Sequence, residues 1–422
     1  MRNIITYNKR KGNTLKNVLI VGISDNEGFK DASILNYASK LKHNIFVLKP
    51  IKSAYWFERY VKKENVIVFD PQNVLKAVSD IAVFCKKHNI KFDAILTFKE
   101  HFVLQASIIA QAFGCIHTPI NAIFHSSSNK LLLREHYNKL KDDSVIKSDI
   151  DILSDFDSPE QIQNDKVIKP IYGSSSCAVQ KISKGTNIKD IKAFLIDSLE
   201  TKFHYDINRT FLLEDYISGK AFSVDGIVQN KKIKFAGINE YTYAPLPYFI
   251  QTGNIIPSTL GIADQKRCYN FVKKIIKHLG LNNCPFHSEI ILKDSKLYLI
   301  EIACRMPGGK IPRGYELAYG FNFVEQVINL YLGENVSFKK TTNFQVIQKG
   351  VHLFNNCIIH EVTIQNNTLK QLDFEQVTQA GEHNTYPINN KPIYYYAVQE
   401  SDLETATRKC REIEKSIQII HE

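Results

Sequence analysis

The sequence has no long hydrophobic run: nowhere does it reach the roughly 18 to 20 consecutive apolar residues that cross a bilayer, so no membrane-spanning helix and no membrane partner are expected. The basic start, Met1 to Asn13, lacks the apolar stretch of a secretory signal, which points to a cytoplasmic location. It has no Cys-x-x-Cys pair. The eight cysteines, from Cys85 to Cys410, stand singly, away from zinc-ligand spacing, and read as free thiols in a reducing compartment. No G-x-G-x-x-G occurs either: the first apolar run ends in Val21-Gly22-Ile23-Ser24, which is either a ligand-binding strand end or a plain tight turn. Internal repeats and low-complexity linkers are also missing. The net charge is +11, but the lysines are interleaved with acids and form no basic block. A nucleic-acid partner is therefore not expected, and a small polyphosphate would need only a few of these cations.

At 422 residues the chain exceeds what one core usually serves, so two or three packed domains are expected. β-Branched runs at Asn17 to Gly22, Asn44 to Leu48, Asn65 to Phe69 and Phe92 to Thr97 alternate with helical segments. They predict an open parallel sheet over residues 1–125. Residues 126–220 read as a smaller α+β lobe, with a helix starting in the cap region Ser126-Ser127-Ser128-Asn129 and paired strands about a small-residue loop. Residues 221–422 read as a larger lobe with long strands, helices near Gln265 to Leu279 and Asn322 to Leu332, and a closing amphipathic helix, Ser401 to Lys415.

Three segments carry candidate chemistry. Phe286 to Arg305 reads as two strands joined by a three-residue turn near Ser295, which sets Glu289 directly opposite Glu301 on one face. Like charges so placed repel unless a cation bridges them, and magnesium suits one or two carboxylates with water and phosphate oxygens completing its shell. The plainer alternative is a solvated hairpin, against which the apolar flanks Ile290, Leu299, Ile300 and Ile302 argue. Val167 to Val179 is a strand ending in Lys169, then the small-residue loop Gly173-Ser174-Ser175-Ser176-Cys177-Ala178, whose backbone could approach phosphates or simply turn. Phe211 to Lys220 is an apolar strand running through Glu214, Asp215, Tyr216 and Ile217 into a Ser-Gly turn.

In this order, and with Asn129-Lys130-Leu-Leu-Leu-Arg134 before them and Pro307-Gly308-Gly309 after, these segments resemble the ATP-grasp superfamily. The likeness is strongest to its carboxylate-amine ligase branch, which includes the L-amino acid ligases that make dipeptides. The resemblance implies an ATP-grasp α/β fold with α+β lobes and an N-terminal, Rossmann-like preATP-grasp domain. It also implies ATP and Mg2+ (or Mn2+) as cofactors, and a homodimer as the common assembly. By the same resemblance Lys130 and Lys169 contact ATP, the loop from Gly173 covers the phosphates, and Glu214 to Ile217 hold adenine. Glu289 and Glu301 would bind the metal, and Arg305 would neutralise charge on the transferring phosphoryl group.

The pattern also departs from the family. Ala221 and Ala303 stand where relatives place a ribose-binding glutamate and a metal-binding asparagine, and Ser175 and Ala178 replace loop glycines. Gln251 and Asn254 are neutral where dipeptide-forming relatives often carry charge. His287, two residues before Glu289, faces the same side, to touch substrate or metal or to act as a structural histidine. Backbone N–H groups at Gly308 and Gly309 are candidates for an oxyanion, and Arg313 for a substrate carboxylate or an ordinary surface position.

The expected activity is joining a small carboxylic acid, such as an amino acid, to an amine through an acyl phosphate, with release of ADP and phosphate. The alternatives are transfer of the acyl group to a thiol or carrier, and a nucleotide-binding protein of the same fold without catalysis.

Overall fold

The computed structural model describes residues 15–23, 29–41, 43–51, 56–126, 128–141, 150–153, 162–202, 210–364, 373–388 and 391–422; Met1 to Asn13, Ser24 and Ser127 lie outside them. Near the N-terminus, β1 (Asn17–Val21), β2 (Asn44–Pro50), β3 (Val66–Phe69) and β4 (Ala94–Leu96) form a parallel sheet in the order β3-β2-β1-β4. Its strands are apolar on both faces because both are covered. Leu19, Val21, Phe46 and Leu48 meet Ile81 and Ile109 from the helices Val74–His88 and Val103–Ala112. Val18, Ile20, Ile45 and Val47 share a core with Tyr315, Phe323, Val327 and Ile328, far along the chain. The N-terminal sheet is thus packed directly onto the C-terminal part of the chain.

A second sheet, antiparallel, contains β5 (Ile150–Leu153), β6 (Lys166–Pro170), β7 (Gln180–Ile182) and β8 (Phe211–Asp215) in the order β5-β8-β6-β7. Ile188, Leu195 and Leu199 of the helix Ile188–Lys202 recur at helical spacing and bury one face, against Ile168 and Leu213. Alternation along the strands then turns Lys169 and Glu214 to the other face.

The largest sheet is antiparallel. It comprises β9 (Lys220–Gln229), β10 (Lys232–Tyr243), β11 (Gln251–Ile256), β12 (Cys284–Lys293), β13 (Lys296–Ala303) and β14 (Gln345–Val351), joined after β15 (Cys357–Ile364) by β16 (Asp373–Gln376) and, after β17 (His383–Asn384), by β18 (Tyr394–Glu400). The order is β13-β12-β9-β10-β11-β14-β18-β16. Phe222, Val224, Ile238, Phe286 and Ile290 pack on the helix Ile262–His278, leaving Ser223, Asp225, His287 and Glu289 on the opposite face.

Three sequence expectations need correction. The β12–β13 turn has two residues, not three: Lys293 pairs with Lys296, and Asp294 and Ser295 both take positive φ, as a tight I′-type hairpin requires. Alone, this register would set Glu289 opposite Ile300. An irregularity at Glu289/Ile290 absorbs the extra residue Ile300 and restores the Glu289–Glu301 pair. The helix Leu403–Ser416 does not close the chain, since β19 (Ile417–His421) follows it and pairs with β15. The helix Lys130–Tyr137 buries Leu133 and Tyr137 in the core of the largest sheet, with Phe222 and Ile302, rather than in that of the second sheet. No helix of the described residues is long and apolar enough to cross a membrane.

Candidate active site

Where the second and the largest sheet meet, charged side chains pair. Asn129 caps the helix Lys130–Tyr137 by accepting from the Leu132 N–H at 3.1 Å, and the i,i+4 spacing then aims Lys130 and Arg134 the same way. Lys130 Nζ donates to the Gly173 carbonyl at 2.8 Å and lies 3.6 Å from Glu301 Oε2. Arg134 grips Glu214 through Nε (2.7 Å) and Nη2 (3.1 Å), and Nη2 also reaches the Ile300 carbonyl at 2.5 Å. The bulged residue therefore presents a carbonyl that ties β13 to this helix. Lys169 Nζ lies 2.6 Å from the second oxygen of Glu214.

Burial disfavours charge on Glu214, but the adjacent Arg134 and Lys169 outweigh it and hold the carboxyl down at about 2. For Lys169 the balance is reversed: desolvation exceeds the pull of Glu214 and lowers the ammonium to about 8. Arg134 Nη1 is buried without a hydrogen-bond partner. Such a donor is costly unless an acceptor reaches it.

On the largest sheet, Glu289 Oε1 accepts from Tyr241 at 3.2 Å and lies 3.1 Å from His287 Nε2. His287 Nδ1 is 2.6 Å from Asp225, which is held in turn by Tyr315 (2.7 Å) and Ser223 (2.9 Å). Burial works against a charged imidazole, yet Asp225 and Glu289 outweigh it and raise His287 to about 9. The two glutamates are therefore relieved on separate sides, Glu289 by His287 and Glu301 by Lys130. Arg305 is buried, pairs with Glu100 from the segment after β4, and donates to the Met306 carbonyl at 3.0 Å. Sequence reasoning missed Glu100, because an acid after a strand looks like any surface acid.

In the loop after β6, Ser175, Ser176 and Ala178 adopt left-handed backbone, where a side chain is disfavoured by about 1 to 2 kcal/mol each. The loop stands above Lys130, with Gly173 at its start and Ser174 Oγ 3.3 Å from His101 Nε2. Beyond Glu214 the chain is already engaged: Asp215 pairs with Lys166 at 2.9 Å, and the Tyr216 N–H donates to the Asp165 carbonyl at 3.1 Å. The expectation that the Glu214 to Ile217 backbone serves adenine loses that one donor, since β8 continues its contacts with the β6 side through Tyr216.

The remaining substrate candidates scatter. Gln251 donates to Asn254 at 2.7 Å, and Asn254 Nδ2 is buried without a partner. Arg313 is bound by Glu316 (2.6 Å) and Asp373 (2.9 Å). The Gly308 carbonyl accepts from the Ile311 N–H at 3.3 Å, and Gly309 takes φ +54°. Among the described residues no group of three or more His, Cys, Asp or Glu is arranged to hold a metal. Glu289 and Glu301, paired across the hairpin, fit an ion that takes its other ligands from phosphate and water.

Residues 162–312 match the model of an ATP-grasp domain. The chain is 24% identical over 256 residues to the alanine–anticapsin ligase of Bacillus subtilis (strain 168), covering 56% of this chain and 53% of that protein. It is 23% identical over 297 residues to the ligase of that name from Bacillus amyloliquefaciens, covering 66% and 60%. It thus spans somewhat over half the length of these relatives. The L-amino acid ligase from Bacillus licheniformis superposes with a TM-score of 0.78 at 16% identity, over 96% of this chain and 98% of that one. The phosphoribosylglycinamide synthetase from Anaerococcus prevotii gives 0.68 at 17%, over 96% and 100%. The domain match covers β6 to β8, the loop and the glutamate hairpin, so residues 162–312 are similar to an ATP-grasp domain, and the fold agrees with these solved structures along nearly the whole chain.

Proposed function

We propose that the chain is an ATP-dependent carboxylate-amine ligase that activates a small carboxylic acid, such as an amino acid, and joins it to an amine. The observation that carries this reading is the opposed pair Glu289 and Glu301, bordered by Lys130 and adjoining Arg305, beneath a loop able to cover phosphates. A carboxylate is a poor electrophile, and phosphoryl transfer to its oxygen creates the leaving group that an amine can displace. Lys130 and Lys169, with the unpartnered Nη1 of Arg134, supply donors for the nucleotide. Mg2+, held by Glu289 and Glu301, would neutralise charge on the phosphates. Arg305, fixed by Glu100, would face the negative charge of the phosphoryl group and then of the tetrahedral oxyanion. The loop from Gly173 to Ala178 would exclude the water that hydrolyses an acyl phosphate.

The names of the Bacillus relatives favour an amino acid as the activated acid and an amine as the acceptor. Gln251 and Asn254 are uncharged, so substrate selection there would rest on hydrogen bonds. The test is ADP release with ATP, Mg2+ and amino acids, singly and in pairs. Acid-dependent turnover that needs an amine and is lost in Glu301→Ala is expected. Turnover that instead requires a thiol would move the assignment to thiol or carrier acylation.

A further inference from the structure

The segment after β4 reaches the phosphate loop from a different sheet, and it is held unusually firmly. Thr97 Oγ1, buried, donates to the Val21 carbonyl at 2.6 Å and accepts from the Lys99 N–H at 3.1 Å, which fixes the turn leaving the strand. Three residues on, the Phe102 ring lies against Gly22 at the end of β1. A Cβ on Gly22 would stand 1.9 Å from that ring, and the φ of +79° at Gly22 also favours glycine. Between these two anchors come Glu100 and His101. Glu100 pairs with the buried Arg305, while His101 Nε2 lies 3.3 Å from Ser174 Oγ. Solvent still reaches the His101 ring, yet desolvation lowers its basicity, helped by the positive Arg305, Lys130 and Lys99 and opposed by Glu100.

We propose that His101 is a positioning residue of the nucleotide site: it receives the phosphate loop at Ser174 while its neighbour Glu100 fixes Arg305. Loop closure and the placement of Arg305 are then set by one rigid two-residue segment of the N-terminal sheet. The proposal rests on the nucleotide-binding part of the function above. Two arguments make the contact more than incidental. The loop spends left-handed backbone at Ser175, Ser176 and Ala178, so it requires something to hold its shape, and Ser174 is the residue that enters this strained stretch. The receiving segment belongs to the C-terminal edge of a parallel sheet, anchored independently of the loop, so it can serve as a fixed stop.

The test is a double-mutant cycle on the full chain with His101→Ala, Ser174→Ala and both together. It is read as the affinity for the Mg2+ complex of a non-hydrolysable ATP analogue by calorimetry and, where turnover is measurable, as kcat for ADP release. Each single variant is expected to weaken binding or slow turnover roughly 3- to 10-fold, the size of one neutral hydrogen bond. The double variant should be no worse than the poorer single. His101→Gln, which keeps a donor and an acceptor, should recover most of the loss, and unchanged melting temperatures would separate this from a folding defect. Independent, multiplicative losses, or a His101→Ala variant that binds and turns over like wild type, would overturn the proposal. Absence of ADP release in the wild type with every acid tried would count against the ligase reading alone, since the affinity cycle still decides the role of His101.

Discussion

Glu214 shows how a single side chain organises this site. It accepts from Arg134 and Lys169 together, and with its carboxyl held at about 2 it remains ionised far below the usual carboxylate range. A carboxyl whose folded value is depressed contributes stability above its unfolded value, near 4.5, and loses that contribution as pH falls from there toward 2. Stability followed by thermal unfolding should therefore decline through that acidic window. Glu214→Gln should flatten this part of the decline. At neutral pH the same substitution leaves Arg134 and Lys169 buried without their shared anion, which is expected to cost about 3 to 5 kcal/mol. A variant as stable as wild type at neutral pH, with an unchanged acid limb, would mean that the cluster is not formed as described.

Among the elements, the β12–β13 hairpin and the β1–β4 strand ends carry the most consequence. In the hairpin, the two-residue turn and the bulged Ile300 are compensating features: the turn shifts the register by one residue and the bulge shifts it back, while freeing a carbonyl for Arg134. At the strand ends, Gly22 exists to admit Phe102. Gly22→Ala should destabilise the N-terminal sheet by about 1 to 3 kcal/mol through overpacking and the positive φ, measured by urea unfolding. Pairing it with Phe102→Leu should recover part of the loss. If the single variant unfolds like wild type, the contact of Phe102 with Gly22 is looser than the structure shows.

At the scale of the whole molecule, nucleotide would sit where three sheets converge, bordered by Lys130 and the hairpin of the largest sheet and by Lys169 and the loop of the second, with Glu100 and His101 of the first behind Arg305 and Ser174. A ligand seated there should stabilise them together. The Mg2+ complex of a non-hydrolysable ATP analogue at about 100 times its dissociation constant is expected to add roughly 2.7 kcal/mol, seen as one cooperative rise in melting temperature. Glu289→Gln should remove the magnesium-dependent part of that rise and leave the part due to nucleotide alone. A rise that is insensitive to magnesium in the wild type would place the ion elsewhere.

The sequence by itself determined the elements and the chemistry within them. Apolar runs at strand spacing marked the parallel sheet, Asn129 marked the start of a helix, and Lys169, the small-residue loop and the two glutamates lay in an order that resembled a known family. Each of these rests on interactions between residues near one another in the chain, where period and spacing suffice. The tertiary structure alone decided which distant groups meet. The Glu100–Arg305 pair spans 205 residues and His101 meets Ser174 across 73. Arg134, on a helix, finds Glu214 and Ile300 on two different sheets. Even the opposition of Glu289 and Glu301, legible from alternation, came from a turn and a bulge that the sequence did not separate. Strand periodicity fixes faces, whereas register depends on where one extra residue is absorbed, and that choice follows from packing against the rest of the molecule.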